Sequence, residues 1–474
     1  MVFRRPLLLV CLVAALHGLF FIWYQRPDWN TAWSDQDGYR RLGQVLAETG
    51  MFTRAPDAPR FVPEVIRTPA YPAFLAALYR VFGVGQLPVA LAQTALFVLI
   101  CVLSYAIARA TVPPMTERLA IVAAAATALF PPIPYFGALV MTEVWTTALF
   151  TLSMWAVLRA YRGDHSSAFA CAGFLLGVTA LSRPAFVLFA PALAGIGLIV
   201  LPAFRTGPRP ARSRWWVMLA VFSVTMLPWF MYNYVTLGRF TLSPAGGFGR
   251  GLWEGSWQAT WSGRLQNELT HIAEDVDGRA ELDRAIELVA AREHLPATPM
   301  LEYVHQWQDI RRIWTEPVDP YERAMSRAKA DREYQRVALE NLRQDSLAHL
   351  ARRLARGVFL LWAGEIPFRY SDINRLPAFV IRLCWLIQAL IFAAAVVGVL
   401  ALGRASPAAT WLLAAPIIYV TAVHFLLFTE ARQSLPAQPV LLVLATLGTA
   451  RLATRRSRDA LFAVEPQVHE GQHL

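Results

Sequence analysis

Residues 87–109 read LPVALAQTALFVLICVLSYAIAR and contain no charged side chain before Arg109. A helix rises about 1.5 Å per residue, so this stretch can cross the roughly 30 Å hydrocarbon core of a bilayer. Nine other stretches have a similar length and apolar character: 6–24, 119–138, 142–160, 166–182, 184–203, 215–235, 377–402, 407–428 and 434–452. The sequence therefore predicts an all-α integral membrane protein with about ten transmembrane helices.

The composition of the whole chain agrees with a membrane protein. Of the 474 residues, 56% are apolar and only 16% are charged, whereas soluble domains carry roughly 25% charged residues. The high hydrophobicity, with 27 Gly and 4 Cys, excludes disordered, collagen-like and disulfide-scaffold proteins. The four cysteines lie in apolar stretches, so we expect them to form neither a disulfide nor a metal cluster.

The net charge of +11 comes from arginines that gather at the ends of the predicted spans. This distribution is typical of the positive-inside rule and not of nucleic-acid binding. With ten spans, the short basic segments all fall on one side, which predicts that both termini are cytoplasmic. The chain then divides into four regions. The N-terminal transmembrane module is 1–235, with its first outer loop at 25–86, and the extracytoplasmic helical loop domain is 236–376. The C-terminal transmembrane helices are 377–452, and the cytoplasmic tail is 453–474.

The two outer segments have helical patterns. Residues 37–49 place apolar side chains on one face and end before Gly50, which predicts an amphipathic helix at the membrane surface. The apolar segments 69–84 and 358–370 are short, and their pattern leaves open whether they span the membrane or lie at its surface. Charged helical stretches of the loop domain are 263–294 and 320–357.

Two carboxylates, Asp35 and Asp37, directly follow the first predicted span. Such a pair could act as a general base or bind a divalent cation. Alternatively, one of them caps the helix that follows. The chain has no Walker loop, no GxGxxG after a strand, no HExxH and no paired CxxC, so we expect any chemistry on the outer side.

Short motifs occur in a characteristic order along the chain. They are Asp35-x-x-x-Tyr39 opening a helix, Leu46-Ala47-Glu48-Thr49-Gly50, Arg67-Thr68-Pro69-Ala70-Tyr71-Pro72, Met141-Thr142-Glu143, Leu181-Ser182-Arg183-Pro184, Leu227-Pro228-Trp229 with Asn233, Gly238-Arg239-Phe240, and Glu430-Ala431-Arg432 before Leu435-Pro436. This series resembles the bacterial GT-C glycosyltransferases of the protein-mannosyltransferase and lipid A aminoarabinose transferase kind. Two positions depart from that pattern: Tyr232 stands where the family usually has Arg, and Gln433 where it usually has Tyr.

The resemblance implies a GT-C-type polytopic helical bundle and an inverting transferase in the bacterial inner membrane, with a periplasmic active site. The implied donor is a polyprenyl-phosphate-linked sugar, and the acceptor is a glycolipid, a polysaccharide such as lipopolysaccharide, or a protein. The family's essential acid maps onto Asp35, with Asp37 beside it. Direct displacement at the anomeric carbon needs a base of this kind to deprotonate the acceptor hydroxyl.

The phosphate of such a donor needs cations, and arginine suits it through its planar fork and permanent charge. We expect Arg432, Arg183 and Arg67 to bind the phosphate, and Arg369 is a further outer-side arginine. Each could instead be an interface arginine whose head reaches the lipid headgroups. Arg432 and Arg183 are favoured, because both lie in very short connections between spans, where ionisable residues are usually functional.

Sugar- or acceptor-binding roles are predicted for five further residues: Glu143, Asn233, Tyr71, Tyr39 and Glu254. Glu143 could instead complement a helix dipole, and the aromatic residues around Asn233 could form an ordinary interface belt. No cofactor is required by the sequence. A divalent cation, with ligands among Asp35, Asp37 and Glu143, is left open.

Two other classes of protein compete with this interpretation. A transferase of the O-antigen ligase or polymerase kind also has many spans and a large outer loop, but the acidic first loop argues against it. A transporter or flippase should show internal repeats with interrupted helices at matching places. The sequence shows no such repeat, and its long loop between the seventh and eighth spans is asymmetric.

Overall fold

A computed structural model describes residues 4–29, 34–111, 113–204, 210–373, 375–425 and 427–453. These residues form helices, most of them joined by short connections, with a longer irregular segment at 50–69. Within these ranges no β-strand forms, and β-structure is limited to isolated bridge residues, as in the bridge between Gln258 and Trp261. The all-α fold predicted from the apolar stretches is confirmed. The predicted tail, 453–474, lies outside the described residues except for Ala453.

The N-terminal half consists of ten helices. They are α1 (Arg4–Gln25), α2 (Ser34–Thr49), α3 (Ala70–Phe82), α4 (Gln86–Ala110), α5 (Glu117–Ala128), α6 (Pro132–Gly137), α7 (Thr142–Gly163), α8 (Ser166–Ser182), α9 (Phe189–Gly195) and α10 (Arg212–Leu237). Short 3₁₀ turns follow α1 and α8, and a π-turn follows α9. The amphipathic helix predicted at 37–49 is α2, which begins earlier, at Ser34.

Six helices follow α10 and are rich in charged residues. They are α11 (Phe248–Trp257), α12 (Gly263–Asp275), α13 (Arg279–Glu293), α14 (Ala297–Thr315), α15 (Pro320–Gln344) and α16 (Leu347–Ala363). They enclose an aromatic core of their own, in which Trp253 stacks on Tyr303 with ring centroids 4.9 Å apart. This helical unit therefore has its own packed interior and can hold side chains in fixed positions.

The C-terminal part returns to apolar helices. It contains α17 (Tyr370–Ile373), α18 (Ala378–Ala405), α19 (Pro407–His424), a 3₁₀ segment (Ala431–Ala437) and α20 (Gln438–Ala453). The backbones of α18 and α20 touch at Gly398 and Gly448, where a Cβ atom would overlap the facing main chain. Small residues allow such close contact between helices in a membrane, where van der Waals packing drives association.

Seven helical segments of the described residues are long and apolar enough to cross a membrane: Arg5–Asp28, Gln86–Ala110, Pro184–Ala203, Arg212–Leu237, Ala378–Ala405, Pro407–His424 and Ala431–Ala453. The other three predicted spans, 119–138, 142–160 and 166–182, are also helical but are not both long enough and apolar enough to be counted. The total of ten spans therefore stays a prediction. The predicted span 119–138 is interrupted between α5 and α6 at Pro131. A proline ring cannot donate the hydrogen bond that would continue the helix.

Candidate functional site

The site begins at the first turn of α2, which places Asp35 and Tyr39 on the same helix face because they are four residues apart. The Asp35 side chain is 53% exposed. Tyr39 is partly buried, and the desolvation of its phenol raises the pKa of that group to about 12. The phenol therefore stays protonated and can donate a hydrogen bond. Gln36, which points the other way, accepts a hydrogen bond of 2.9 Å from the Val140 N–H and fixes α2 against the segment before α7.

Arg67 reaches this helix from the connection before α3. Its guanidinium lies across Gly38, over the ring of Tyr39 (4.7 Å to the centroid) and 3.7 Å from the Asp35 carboxylate. The buried carboxylate of Glu64 accepts a hydrogen bond of 3.2 Å from the Arg67 N–H, which shapes the backbone at this point. Only 7% of the Arg67 side chain is exposed. The arginine is therefore held, and it cannot simply turn to lipid headgroups.

Two more arginines approach from other parts of the chain. Arg183 follows the end of α8, and Arg432 lies in the 3₁₀ segment before α20. Both contact Glu143 in the first turn of α7, whose side chain is only 2% exposed: the N···O distances are 3.8 Å from Arg183 and 3.7 Å from Arg432. Arg432 also lies 3.5 Å from Asp35. Residues far apart in sequence thus form one charged cluster.

A capping box holds Arg432 in this position. Gln433 accepts a hydrogen bond from the Glu430 N–H and donates one to the Phe428 carbonyl, each 3.1 Å long. The Glu430 carboxylate in turn accepts from Arg432 Nε at 2.8 Å. Gln433 is one of the two departures from the GT-C pattern, and here it orders the turn that carries the arginine. The other departure, Tyr232, stacks on Trp229 and does not line the site.

The cluster surrounds a cavity of about 230 Å³. Its lining includes the five side chains just described: Asp35, Arg67, Glu143, Arg183 and Arg432. Two donor atoms, Arg67 Nε and Arg183 Nη1, are buried without a hydrogen-bond partner. Unpaired buried donors are costly, and their position beside the cavity suits the oxygens of an anion. This cavity is called the arginine cavity below.

One acidic neighbour was not predicted from the sequence. Burial raises the pKa of Glu365 to about 7, although the hydrogen bond from the Ile366 N–H and the charge of Arg432 act in the opposite direction. Glu365 follows α16 in a stretch that reads as an apolar interface segment. Glu365 is the single acidic residue of that apolar segment, and an isolated acid in such a place could have marked it as a candidate functional residue.

Four predicted site residues lie outside the arginine cavity. Asp37 is half exposed and pairs with Arg40 at 3.0 Å. Tyr71 is buried behind Tyr39 and lies 3.3 Å from Gln93. The remaining two, Asn233 and Glu254, form hydrogen bonds elsewhere: Asn233 to the carbonyls of Thr241 and Leu242, and Glu254 to Arg250. Arg369 is likewise distant, because it pairs with Asp372 at 2.8 Å.

The three residues considered for a divalent cation do not converge. Arg432 lies between Asp35 and Glu143 and contacts both, while Asp37 faces Arg40. Within the described ranges, no group of three or more His, Cys, Asp or Glu side chains is arranged to hold a metal ion. The geometry of these carboxylates fits pairing with guanidiniums better than shared coordination of a cation.

Comparison with known proteins supports the assignment made from the motifs. The family model described as dolichyl-phosphate-mannose-protein mannosyltransferase matches residues 66–232, which include Arg67, Glu143 and Arg183. No curated protein matches the chain.

Solved structures are similar over nearly the whole chain. The archaeal oligosaccharyltransferase AglB from Archaeoglobus fulgidus, in complex with an inhibitory peptide and a dolichol-phosphate, is 16% identical with a TM-score of 0.50; 94% of this chain and 51% of that chain are covered. The apo form of the Archaeoglobus fulgidus oligosaccharyltransferase is 16% identical with a TM-score of 0.51; 93% of this chain and 50% of that chain are covered. ArnT from Cupriavidus metallidurans bound to undecaprenyl phosphate is 13% identical with a TM-score of 0.40; 95% of this chain and 77% of that chain are covered.

The chain thus spans about half the length of the archaeal oligosaccharyltransferases that it matches. The likeness to these structures concerns the fold: the helical arrangement of this chain is similar to that of the archaeal oligosaccharyltransferase. The matching family model covers less than half of the chain, and over residues 66–232 the chain is similar to that family.

Proposed function

We propose that this protein is an inverting membrane glycosyltransferase that moves a sugar from a polyprenyl-phosphate donor to an acceptor hydroxyl on the extracytoplasmic face. One observation carries the proposal. The half-exposed Asp35 carboxylate lies 3.7 Å from Arg67 and 3.5 Å from Arg432, at a cavity where buried guanidinium donors have no partner. A base and an anion-binding group are thus adjacent, which is the pairing that this reaction needs.

In the proposed reaction, Asp35 accepts the proton of the acceptor hydroxyl. The hydroxyl oxygen attacks the anomeric carbon of the donor sugar from the face opposite the phosphate. The bond between that carbon and the phosphate oxygen breaks, its electron pair leaves with the phosphate, and the configuration at carbon inverts. The charge that develops on the polyprenyl phosphate is stabilised by Arg432, Arg183 and Arg67.

The contacts of Asp35 suit a base. Charge-assisted hydrogen bonds are typically about 2.7–2.9 Å long, whereas both arginines lie farther than this from the carboxylate. The carboxylate is therefore held in place without having all its lone pairs occupied. Its exposure leaves a path for the acceptor hydroxyl.

The positions of charged helix ends support an extracytoplasmic site in an inner membrane. Helix α7 begins at the cavity with Glu143 and ends with Arg162 in its last turn. Helix α4 likewise has Arg109 in its last turn, and α18 has Arg404. Basic residues mark cytoplasmic helix ends, so the arginine cavity belongs to the opposite face in the proposed topology, with both termini inside.

The test replaces each of the two first-loop carboxylates. Asp35→Asn removes the base and should lower the rate of sugar transfer by about 10²–10⁴-fold. Asp37→Asn is the matched control, because its carboxylate is exposed and pairs only with Arg40 among the described groups. Transfer would be measured in membranes with equal amounts of each variant. Full activity of Asp35→Asn, or a greater loss in Asp37→Asn, contradicts the assignment of the base.

A further inference from the structure

A second, larger cavity of about 410 Å³ adjoins the arginine cavity. The two share Asp35, Ile66, Arg67 and Gly246 in their linings. The remaining walls of the second cavity come mainly from α14 and α15 of the charged helical unit. A molecule in this space would therefore reach the Asp35 carboxylate from the side of that unit.

The second cavity has an excess of positive charge. Five arginines and three acidic residues line it. Arg54 is paired with Glu64 and Arg250 with Glu254, at N···O distances of 2.6 and 2.8 Å. Arg67 lies 3.7 Å from Asp35. In contrast, no carboxylate of the described residues lies within ion-pairing distance of Arg311 on α14 or Arg327 on α15.

The acidic side chains of the lining are used elsewhere. Asp331 accepts hydrogen bonds of 3.2 Å from the backbone N–H groups of Gly249 and Arg250 at the start of α11. The Glu274 carboxylate lies 3.8 Å from His271 Nδ1, and the Glu274 backbone carbonyl accepts a hydrogen bond of 3.3 Å from Arg311. These carboxylates therefore do not neutralise the two arginines directly.

The repulsion between the arginines is visible in their electrostatics. Burial, and then the charge of Arg54, lowers the pKa of Arg327 to about 10; Glu64 opposes this shift, and Arg67 acts in the same direction as Arg54. A cluster of like charges at a partly buried surface is unfavourable unless an anion compensates it. The tertiary fold thus maintains an arrangement that would be stabilised by a negatively charged molecule.

Two tryptophans hold the unpaired arginines in place. The guanidinium carbon of Arg311 lies 4.8 Å from the ring centroid of Trp307, and that of Arg327 lies 4.0 Å from the ring centroid of Trp314. Stacking on an aromatic face restrains a guanidinium and leaves its N–H groups free at the edge. The buried indole N–H of Trp307 also has no hydrogen-bond partner. The wall therefore offers both cationic donors and a neutral donor.

We infer that the second cavity binds the acceptor, and that this acceptor is a saccharide carrying a phosphate or carboxylate group near the hydroxyl to be glycosylated. The inference rests on the proposed transferase function. Arg311 and Arg327 bind the anionic group, the Trp307 N–H binds a sugar oxygen, and the shared border at Asp35 and Arg67 presents the hydroxyl to the base. A neutral saccharide or an unmodified peptide would leave the two guanidiniums unpaired.

Binding of defined probes tests this inference without any transfer reaction. The full-length protein in phosphatidylcholine nanodiscs would be titrated by calorimetry with trigalacturonate, glucose 6-phosphate, neutral maltotriose and inorganic phosphate. We expect trigalacturonate or glucose 6-phosphate to bind at least tenfold more tightly than maltotriose and inorganic phosphate. Which of the two binds better distinguishes a carboxylate from a phosphate group.

Variants then locate the binding site. Arg311→Gln and Arg327→Gln should each weaken binding of the preferred probe by about tenfold or more, as expected for a hydrogen bond to a charged group. Arg312→Gln is the matched control, because the Arg312 side chain follows Arg311 in sequence but is exposed and does not line the cavity. Trp307→Phe keeps the aromatic ring but removes the N–H, and should weaken the sugar probe without affecting inorganic phosphate.

The inference is overturned if maltotriose or inorganic phosphate binds as tightly as the anionic sugars, if no anionic sugar binds, or if both arginine variants bind like the wild type. Thermal unfolding of each variant identifies a folding defect. The Asp35→Asn protein should bind the anionic probe at least as tightly as the wild type, because it removes a negative charge from the cavity border. Failure of the transferase proposal would appear as unchanged transfer by Asp35→Asn, independently of these binding results.

Discussion

Gly38→Ala tests whether the position of Arg67 matters for the reaction. A Cβ atom at Gly38 would lie 2.8 Å from Arg67 Nη1 and closer still to Cζ and Nη2, whereas ordinary contacts of a Cβ atom are 3.4–4 Å. The guanidinium therefore has to move away from the α2 helix. Its contacts with the Tyr39 ring and with Asp35 would be lost together.

The expected effects on stability and on activity have opposite directions. Replacing glycine by alanine inside a helix favours the helix by roughly 1 kcal/mol, so α2 itself should not be weakened. Moving an arginine away from a charged ligand should cost about 1.5–3 kcal/mol of binding, which corresponds to about 10- to 150-fold. We therefore expect kcat/KM for the polyprenyl-phosphate donor to fall by this factor, while expression and membrane insertion stay normal.

The assay is sugar transfer over a range of donor concentrations, with Gly251→Ala as the matched control. Gly251 also lies within a helix, α11, but the nearest atom to its added Cβ is 4.0 Å away. In an Arg67→Ala background, Gly38→Ala should have no further effect, because the two changes act through one side chain. Wild-type kinetics of Gly38→Ala, or full additivity of the two changes, would refute the reasoning.

Three further predictions concern the donor, the pH dependence and the topology. Arg432→Lys keeps the charge but loses the bidentate fork, so the donor KM should rise by about tenfold while membrane insertion stays normal. Unchanged kinetics would exclude a contact between Arg432 and the donor phosphate. Burial raises the pKa of Glu365 to about 7, so this carboxyl group is mostly neutral at pH 6 and mostly ionised at pH 8. Its negative charge should therefore raise the donor KM between pH 6 and pH 8, and Glu365→Gln should abolish that change. In a protein without its native cysteines, Asp57→Cys and Asp277→Cys should both react with an impermeant thiol reagent added to spheroplasts; labelling only after lysis would reverse the proposed topology.

The sequence alone determined the membrane fold and the main residues of the arginine cavity. Apolar length is a direct requirement of the bilayer, since every backbone group must find a partner inside the segment, and most predicted spans are therefore helices in the structure. Asp35 and Glu143 were predicted from the resemblance of their motifs to those of the GT-C glycosyltransferases. Arg432 and Arg183 were favoured because ionisable residues in short connections between spans are costly and usually functional. Their roles stay predictions until the variants are measured.

Only the tertiary structure decided which polar residues meet. Asn233 and Glu254 were predicted to bind the sugar or the acceptor, yet each forms its hydrogen bonds away from the arginine cavity. Conversely, Glu365 and Arg327 carry no motif, and they matter because folding brings them beside other charges. The physical reason is that a pattern along the chain records which face of a helix is apolar, whereas electrostatic interactions depend on distances between helices, and the packing of distant segments sets those distances.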